Sequence, residues 1–329
     1  MGTNKKFEFF LKDDDPREEY REGFEKEKEV EHLPAEWGQR KLLMTELFLL
    51  LNFYPKICKE TGEKHLVYVG AGPGNHIPFI AEVFKEITFH LYDLKFSFNP
   101  FSNTVFYRKF FDDQEAYKWI GKTCIFLSDI RNPEFKKERK YMKTMERHVE
   151  EDMEAQKRWV EIIRPKLFML KFRLPYYFGE GITKETFKYL DGRILKQPYA
   201  KTSSTETRLI GTQNDIQDKE YDIKKYEEQM FFHNRRIRVE YKFENPFTGF
   251  EPLWPSELLD DYDSVYEILV LKKLLERLGE EVNERNIKRA SRMITIYLNQ
   301  GKEVKKWNTI TKKRNATVSH NKGAVEKKL

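Results

Sequence analysis

Cysteine is nearly missing from this chain: Cys58 and Cys124 are the only two in 329 residues, and neither has a partner at metal-ligand or redox-motif spacing. A disulfide framework and a zinc ribbon are thereby excluded, and a reducing, intracellular setting is expected. Long apolar runs are missing too. The longest, Leu42 to Tyr54, is interrupted by Glu46 and falls short of the roughly 20 residues that span a bilayer. The opening Met-Gly-Thr-Asn-Lys-Lys lacks an apolar signal core, and Lys6 stands where a myristoylation motif requires Ser or Thr. No membrane partner is expected. Charge of one sign is scarce as well: 60 Lys and Arg face 54 Asp and Glu, so the net +6 gives no basic face unless residues cluster.

What is present supports a large core, with 15% aromatic and 39% apolar residues in a chain long enough for one extended α/β domain or two domains. Glycine is sparse, yet three fall at alternate positions, Gly70, Gly72 and Gly74, directly after the strand-like run Leu66 to Val69. An apolar, helix-compatible stretch runs from Ile77 to Phe84, and the whole reads as strand, tight turn, helix. Glycine suits such a turn because the backbone must bend sharply and admit a ligand without a Cβ in the way. The spacing G-x-G-x-G, with Pro73 inside, departs from the G-x-G-x-x-G that seats a pyrophosphate. A phosphate-free nucleoside such as S-adenosylmethionine fits better, although a plain α/β turn has the same pattern. Asp93 ends the next strand-like run, Ile87 to Tyr92, where an acid about 20 residues past the loop can accept from ribose hydroxyls.

Along the chain, residues 1–32 mix aromatics with dense charge and read as an arm whose Phe7, Phe9, Phe10, Tyr20 and Phe24 either pack on the body or stack on a base. A helix with a broad apolar stripe is predicted from Gly38, with Lys41 in its first turn. Val105 to Phe111 and Thr123 to Leu127 are strand candidates, the latter delivering Asp129 to the carboxyl edge. An amphipathic helix is predicted within residues 134–163, and Leu167 to Leu170 is a strand that delivers Lys171 and Arg173. A helical segment is expected near Thr183 to Leu190, a strand over Thr205 to Ile210 with Glu206 near its start, and a helix over residues 218–234. An antiparallel strand there would bring Glu206 to the rim holding Asp129 and Lys171. Two more helices are expected at 256–278, stopped by Gly279, and 283–299, before a basic tail. The strand and helix alternation from 66 to 171 predicts a doubly wound, mostly parallel sheet. The expected division is an arm (1–32), a central domain (33–245), a C-terminal helical extension (246–300) and a disordered basic tail (301–329).

Lys41, Asp129, Lys171 and Glu206 resemble, in order and setting, the Lys, Asp, Lys, Glu tetrad of ribose 2'-O-methyltransferases. More closely, the chain resembles the poxvirus family of cap-specific 2'-O-methyltransferases that double as poly(A) polymerase small subunits. The matching stretches include Gly38-Gln39-Arg40-Lys41-Leu42-Leu43, Val67-Tyr68-Val69-Gly70, Pro73-Gly74, His76-Ile77, Leu127-Ser128-Asp129-Ile130-Arg131, Leu170-Lys171, Thr205-Glu206-Thr207-Arg208-Leu209 and Tyr226-Glu227. They cover roughly 200 residues in order, a far more specific signal than any one motif.

The resemblance implies a Rossmann-like S-adenosylmethionine-dependent methyltransferase fold with one antiparallel strand, an N-terminal arm and C-terminal helices. It implies Lys171 as the base, with Lys41, Asp129 and Glu206 tuning it and Lys41 as the like charge that lowers its pKa. The cofactor residues it carries over are Gln39, Tyr68, Gly70, Gly72, Gly74, Asp93, Phe111, Asp129 and Arg131. Lys95 stands where the family has arginine. For capped mRNA it carries over Tyr20, Arg173, Tyr176, Ser204, Thr205, Glu206 and Glu227, with Phe178 in place of a second acid that reads guanine. Arg235, Arg236 and Arg238 are candidates for the RNA backbone. No metal is implied, and a large DNA virus replicating in the cytoplasm would be the source. Two other readings stay open: an RNA-binding processivity subunit for a poly(A) polymerase catalytic chain, and a 2'-O-methyltransferase of structured ribosomal or transfer RNA.

Overall fold

The computed structural model describes residues 6–19, 35–57, 64–122, 124–131, 142–176, 184–201, 203–244 and 260–299. The helices α1 (Ala35–Asn52) and α2 (Tyr54–Ile57) precede β1 (Lys64–Val69), α3 (Ile77–Val83), β2 (Ile87–Tyr92) and β3 (Thr104–Tyr107). Next come α4 (Asp113–Tyr117), β4 (Cys124–Ser128), α5 (Met142–Ile163), β5 (Leu167–Phe172), β6 (Thr186–Leu190) and β7 (Arg193–Leu195). The chain continues through β8 (Thr207–Thr212), β9 (Asp218–Asp222), α6 (Ile223–Phe232), a π turn (His233–Ile237) and α7 (Arg238–Glu240). It closes with α8 (Tyr262–Leu278) and α9 (Glu284–Leu298).

Seven strands form one sheet in the order β3-β2-β1-β4-β5-β8-β7, in which β1 to β5 run parallel and β8 is antiparallel to both its neighbours. The predicted mostly parallel, doubly wound sheet with an antiparallel strand is therefore what forms. Strand residues alternate between two cores, as a period of two demands. Leu66, Tyr68, Leu167 and Met169 point to one side, where α1, α3, α8 and α9 pack. Val67, Val69, Phe168 and Leu170 point to the other, towards α5 and α6. Strand order reverses between β1 and β4, and a crevice at the carboxyl ends of these two strands is the expected ligand site of such a sheet. Among the described residues no helix is long and apolar enough to cross a membrane.

Of the N-terminal aromatics, Phe7, Phe9 and Phe10 pack on the body, while Tyr20 and Phe24 lie outside the described residues. Phe9 lies 4.5 Å from Phe48 and 4.8 Å from Tyr266, and Phe7 stacks on Tyr262 at 4.8 Å. The Leu11 N–H donates to the Ile194 carbonyl (2.8 Å) and the Lys196 N–H to the Phe9 carbonyl (2.9 Å), so this segment covers the exposed edge of β7.

Four sequence expectations are corrected. The stretch near Thr183 to Leu190 contains a strand, β6, and residues 218–222 form its antiparallel partner β9. In both, apolar residues alternate with charged ones, Phe187 and Tyr189 around Lys188 and Tyr221 between Glu220 and Asp222; pairing them buries the ring side and overrides the helix propensity of Lys and Glu. The third strand is Thr104–Tyr107, ending before the expected Phe111, and beyond it Asp112 caps α4 by accepting from the Glu115 N–H at 2.9 Å. Helix α1 begins at Ala35, so Lys41 lies in the second turn, beyond the strong part of the helix dipole.

Candidate active site

The glycine turn after β1 is built around close backbone approaches. Gly70 has φ 76°, and a Cβ there would stand 2.9 Å from the Asp129 carbonyl, so the ends of β1 and β4 can touch only with glycine present. The Gly72 N–H donates to Asp93 Oδ2 at 3.0 Å, and the Lys95 N–H donates to Oδ1 at 3.2 Å. A Cβ on Gly72 would collide with the Lys95 carbonyl and lie 2.6 Å from Asp93 Cγ. Each Asp93 oxygen keeps a free lone pair beyond its single backbone donor. The Lys95 side chain is exposed. Gly74 has φ 73°, and a proline in the first turn of α3 removes one N–H from that helix end.

Beside this turn four cations and two carboxylates converge. Lys171, near the carboxyl end of β5, places Nζ 2.8 Å from Asp129 Oδ1 and 3.8 Å from Glu206 Oε2. The same Nζ donates at 3.4 Å to the carbonyls of Asp129 and Ile130. Lys41 donates to Glu206 Oε1 at 2.7 Å, and Arg131 donates to Glu206 Oε2 at 2.8 Å. Arg208 Nη2 lies 2.8 Å from Asp129 Oδ1 and 3.5 Å from Glu206 Oε1. The Lys171 side chain is 12% exposed and Arg208 only 2%, so the cluster is largely withdrawn from solvent, Arg208 most of all.

The electrostatics arise from that crowding. Burial lowers the Lys171 pKa, the carboxylates of Asp129 and Glu206 pull it back, and Arg131 and Arg208 push it down again; the net is a lysine below its ordinary value. Burial would raise Glu206, but Lys41, Lys171, Arg208 and Arg131 outweigh it and hold this carboxyl well below the usual range. Asp129 is likewise held down, against burial, by Arg208 and Lys171. The like charges that lower Lys171 are thus Arg131 and Arg208; Lys41, which the family resemblance offers for that part, is engaged with Glu206.

A second polar chain runs behind the turn. Gln39 Oε1 lies 2.8 Å from His76 Nδ1, His76 Nε2 lies 3.0 Å from Glu46 Oε1, and the Tyr68 hydroxyl donates to that same oxygen at 2.6 Å. Burial, with Glu46 and Asp129 nearby, holds the Tyr68 hydroxyl well above its ordinary pKa, so it is a donor. Phe111 is buried edge-on to Tyr92 (4.8 Å) and Trp159 (5.1 Å) at the end of the segment after β3.

The remaining sequence candidates lie on the β5, β8 and α6 side. Arg173 is buried, paired with Glu146, and its guanidinium sits 4.1 Å over the Tyr176 ring. Glu146 also accepts from the Tyr176 N–H at 2.8 Å, so one acid fixes both residues. The Ser204 hydroxyl accepts from the Glu206 N–H at 3.2 Å, and the Thr205 carbonyl accepts from the Tyr226 hydroxyl at 2.5 Å. Glu227 is buried on α6. Tyr20 and Phe178 lie outside the described residues. Arg238 is turned inward onto Asp263 (3.0 and 2.7 Å), and Arg236 pairs with Glu18 and Glu240 on the surface.

Sequence alone gives Arg208, Glu46 and His76 no part beyond membership of matching stretches, and it gives Gln197 no part in the site. The signal for Arg208 is register: with β8 antiparallel to β5, it is the direct cross-strand partner of Lys171. With its amide turned to face its donors and acceptors, Gln197 accepts from Arg208 Nε at 3.1 Å and donates to the Glu206 carbonyl at 3.2 Å.

Comparison with known proteins adds three findings. The family described as "Poly A polymerase regulatory subunit" matches residues 3–289 of the chain. The cap-specific mRNA (nucleoside-2'-O-)-methyltransferase of fowlpox virus (strain NVSL) is 26% identical over 248 residues, covering 68% of this chain and 76% of that protein. Bluetongue virus VP4, described as a multifunctional RNA-capping production line, aligns with TM-score 0.44 at 13% identity, over 70% of this chain and 35% of its own length, a likeness too loose to bear on function.

Proposed function

The chain belongs to the poly A polymerase regulatory subunit family, and from that premise we propose that it is an S-adenosylmethionine-dependent methyltransferase acting on the ribose 2'-hydroxyl of the first transcribed nucleotide of capped mRNA. The observation that carries this reading is Lys171: a largely but not fully buried lysine, lowered in pKa, set between two carboxylates at the carboxyl edge and beside a glycine turn. The name of the fowlpox relative supports the substrate.

The residues around the turn suit this cofactor. Asp93 retains acceptor capacity for the two ribose hydroxyls beyond the backbone N–H groups of Gly72 and Lys95 that hold it at the turn. A proline at the start of α3 suits a ligand without a pyrophosphate. Gln39, Tyr68 and Phe111, with Gly70 to Gly74, Asp93, Lys95 and Arg131, are the residues assigned to it. When bound, S-adenosylmethionine supplies a methyl group on a sulfonium.

The 2'-hydroxyl is a poor nucleophile, so the protein's task is alignment and proton removal. Neutral Lys171 would accept the proton of the 2'-hydroxyl at Nζ, freeing that oxygen to take the methyl group the bound cofactor would supply, and would be left as the ammonium. Asp129 and Glu206 then stabilise that ammonium. Lys41 and Arg131 keep Glu206 ionised and in place. Tyr176, Arg173, Ser204, Thr205 and Glu227 are assigned to the capped RNA. We also propose a poly(A) polymerase catalytic chain as a partner, which the family's description favours.

The test is methyl transfer from labelled S-adenosylmethionine to one short RNA with a 7-methylguanosine cap, an unmethylated cap or none, with nuclease mapping of the product. Label confined to the first ribose of the methylated-cap RNA is expected. Equal labelling of uncapped or internal ribose would move the assignment to structured RNA, and no label on any form would overturn it.

A further inference from the structure

Lys41 and Glu206 lie 165 residues apart in sequence, yet both are anchored to the same face of α8. On the Lys41 side, the neighbouring Arg40 is buried and ion-paired with Glu267, and donates to Ser291 Oγ and Thr295 Oγ1 of α9, each at 2.8 Å. The Tyr199 hydroxyl completes that knot, donating to Glu267 Oε2 at 2.6 Å. On the Glu206 side the anchor is a relay. Asp263 accepts from Arg238 at 3.0 and 2.7 Å, Arg238 donates to Asn234 Oδ1 at 3.1 Å, and Asn234 Nδ2 donates to the Ser204 carbonyl at 2.6 Å. Ser204 Oγ in turn accepts the Glu206 N–H.

Asp263 and Glu267 are four residues apart, one helical turn, and are therefore neighbours on one stripe of α8. Both are buried, at 4% and 0% exposure, and so are Arg40, Asn234 and Arg238. Asn234 reaches Ser204 because it sits in the π turn at the end of α6. A π turn inserts a residue into the helical repeat and rotates the residues beyond it, and here it aims one amide at two partners, Ser204 and Arg238.

We propose that α8 is a positioning element for the active site: Asp263, through Arg238 and Asn234, sets the loop that carries Glu206, and Glu267, through Arg40, sets the helix turn that carries Lys41. The distance between Glu206 and the two lysines is then fixed by the helix pair α8 and α9, outside the sheet that carries Lys171. Asn234 touches no reacting atom and acts only through Ser204.

The experiment compares the full-length wild type with Asn234→Ala and with Phe84→Leu, a destabilising control at the end of α3 against Tyr54. Two readouts are taken: kcat at saturating RNA and cofactor, and the titration midpoint of Lys171 monitored by NMR of its ε-carbon. Lys171 is faced by Asp129, Glu206, Arg131 and Arg208, so retreat of Glu206 alone lowers its midpoint. Asn234→Ala is expected to lower kcat on the alkaline plateau, where Lys171 is neutral in both proteins, on the order of 10- to 100-fold, the scale of a misplacement near 1 Å, and to lower the midpoint, with the Kd for S-adenosylhomocysteine unchanged. Phe84→Leu is expected to lower Tm and move neither. An unchanged midpoint and kcat in Asn234→Ala, or an equal loss in Phe84→Leu, would overturn the relay. The kcat readout rests on the methyltransferase reading, but the Lys171 midpoint does not. A wild type without methyl transfer whose midpoint still shifts in Asn234→Ala would keep the relay and reject that reading.

Discussion

Lys171 and Arg208 face each other as register partners on β5 and β8, two cations directly opposed across an antiparallel pair. Such pairs repel. Asp129 Oδ1 makes this one tolerable by lying 2.8 Å from both cationic groups. Arg208 keeps its charge at any working pH, so Lys171 is the member of the pair that can relieve the repulsion by losing its proton.

That relationship gives a pH prediction with a definite sign. In the proposed reaction the neutral amine is the working form, so the rate is expected to rise with pH through the Lys171 pKa, which lies below the ordinary lysine value of about 10.4. Replacing Arg208 by Gln removes a cation and leaves Asp129 and Glu206 to stabilise the ammonium. The pKa rises, and the pH profile of kcat moves to the alkaline side. Below the midpoint, each unit of that move reduces the rate about tenfold. The converse change, Asp129→Asn, removes a stabilising carboxylate and moves the midpoint to the acid side. A profile in Arg208→Gln that stays in place or moves to lower pH would contradict this account.

Replacing Lys171 by Ala separates binding from chemistry. The side chain is the proton acceptor in the proposed reaction but makes none of the turn that receives the nucleoside. Turnover is expected to fall by about 100-fold or more, the usual scale of one acid–base group, while the Kd for S-adenosylhomocysteine, measured by calorimetry, stays within a few-fold of wild type. Full activity in this variant would remove Lys171 from the mechanism.

Much of this architecture is written locally. The buried runs of β1, β4 and β5, the glycine turn and Asp93 announce a doubly wound sheet because each is a short-range pattern with one physical cause. Gly279, which ends α8 with φ 70°, is equally local. Arg208 is not legible in sequence as a member of the cluster, because its position depends on which strand pairs with β5 and in what register. The strands β6 and β9 read as helical for the same reason. Their residues have helix-compatible composition, and only the cross-strand pairing of Phe187 with Tyr221 decides otherwise. Arg238 looks like a surface arginine in a basic cluster; its buried partner, Asp263, lies 25 residues away on another helix.

The knot around Arg40 predicts a large stability effect at a distance from the sheet. Glu267 is fully buried, and its carboxylate is held ionised, against burial, by Arg40 and by hydrogen bonds from Ser291 and Tyr199. Glu267→Ala leaves the Arg40 guanidinium buried without its counter-charge, which costs about 3–5 kcal/mol. Replacing Arg40 and Glu267 together by Met and Leu removes both charges and should recover most of that loss. Urea denaturation of the single and double variants measures it; additive losses in the double variant would mean that the two residues act independently.

The glycine turn supplies the last prediction. Gly72 has a negative φ that any residue could adopt, so its requirement is space alone: a Cβ would press on the Lys95 carbonyl and lie 2.6 and 2.7 Å from Asp93 Cγ and Oδ1. Gly72→Ala must therefore push the Asp93 carboxylate away from the turn or shift the backbone beyond it. Overpacking of this kind costs about 1–3 kcal/mol. Because Asp93 is assigned to the ribose hydroxyls, the cost should fall on cofactor binding, raising the Kd for S-adenosylhomocysteine by roughly 5- to 150-fold. Lys171 lies on β5, Asp129 just past β4 and Glu206 just before β8, all outside the turn, so kcat at saturating cofactor should change little. Calorimetry and saturation kinetics on the same preparation separate the two effects. An unchanged Kd with a reduced kcat would place Asp93 outside the cofactor site and give the turn a part in shaping Asp129, which Gly70 already touches.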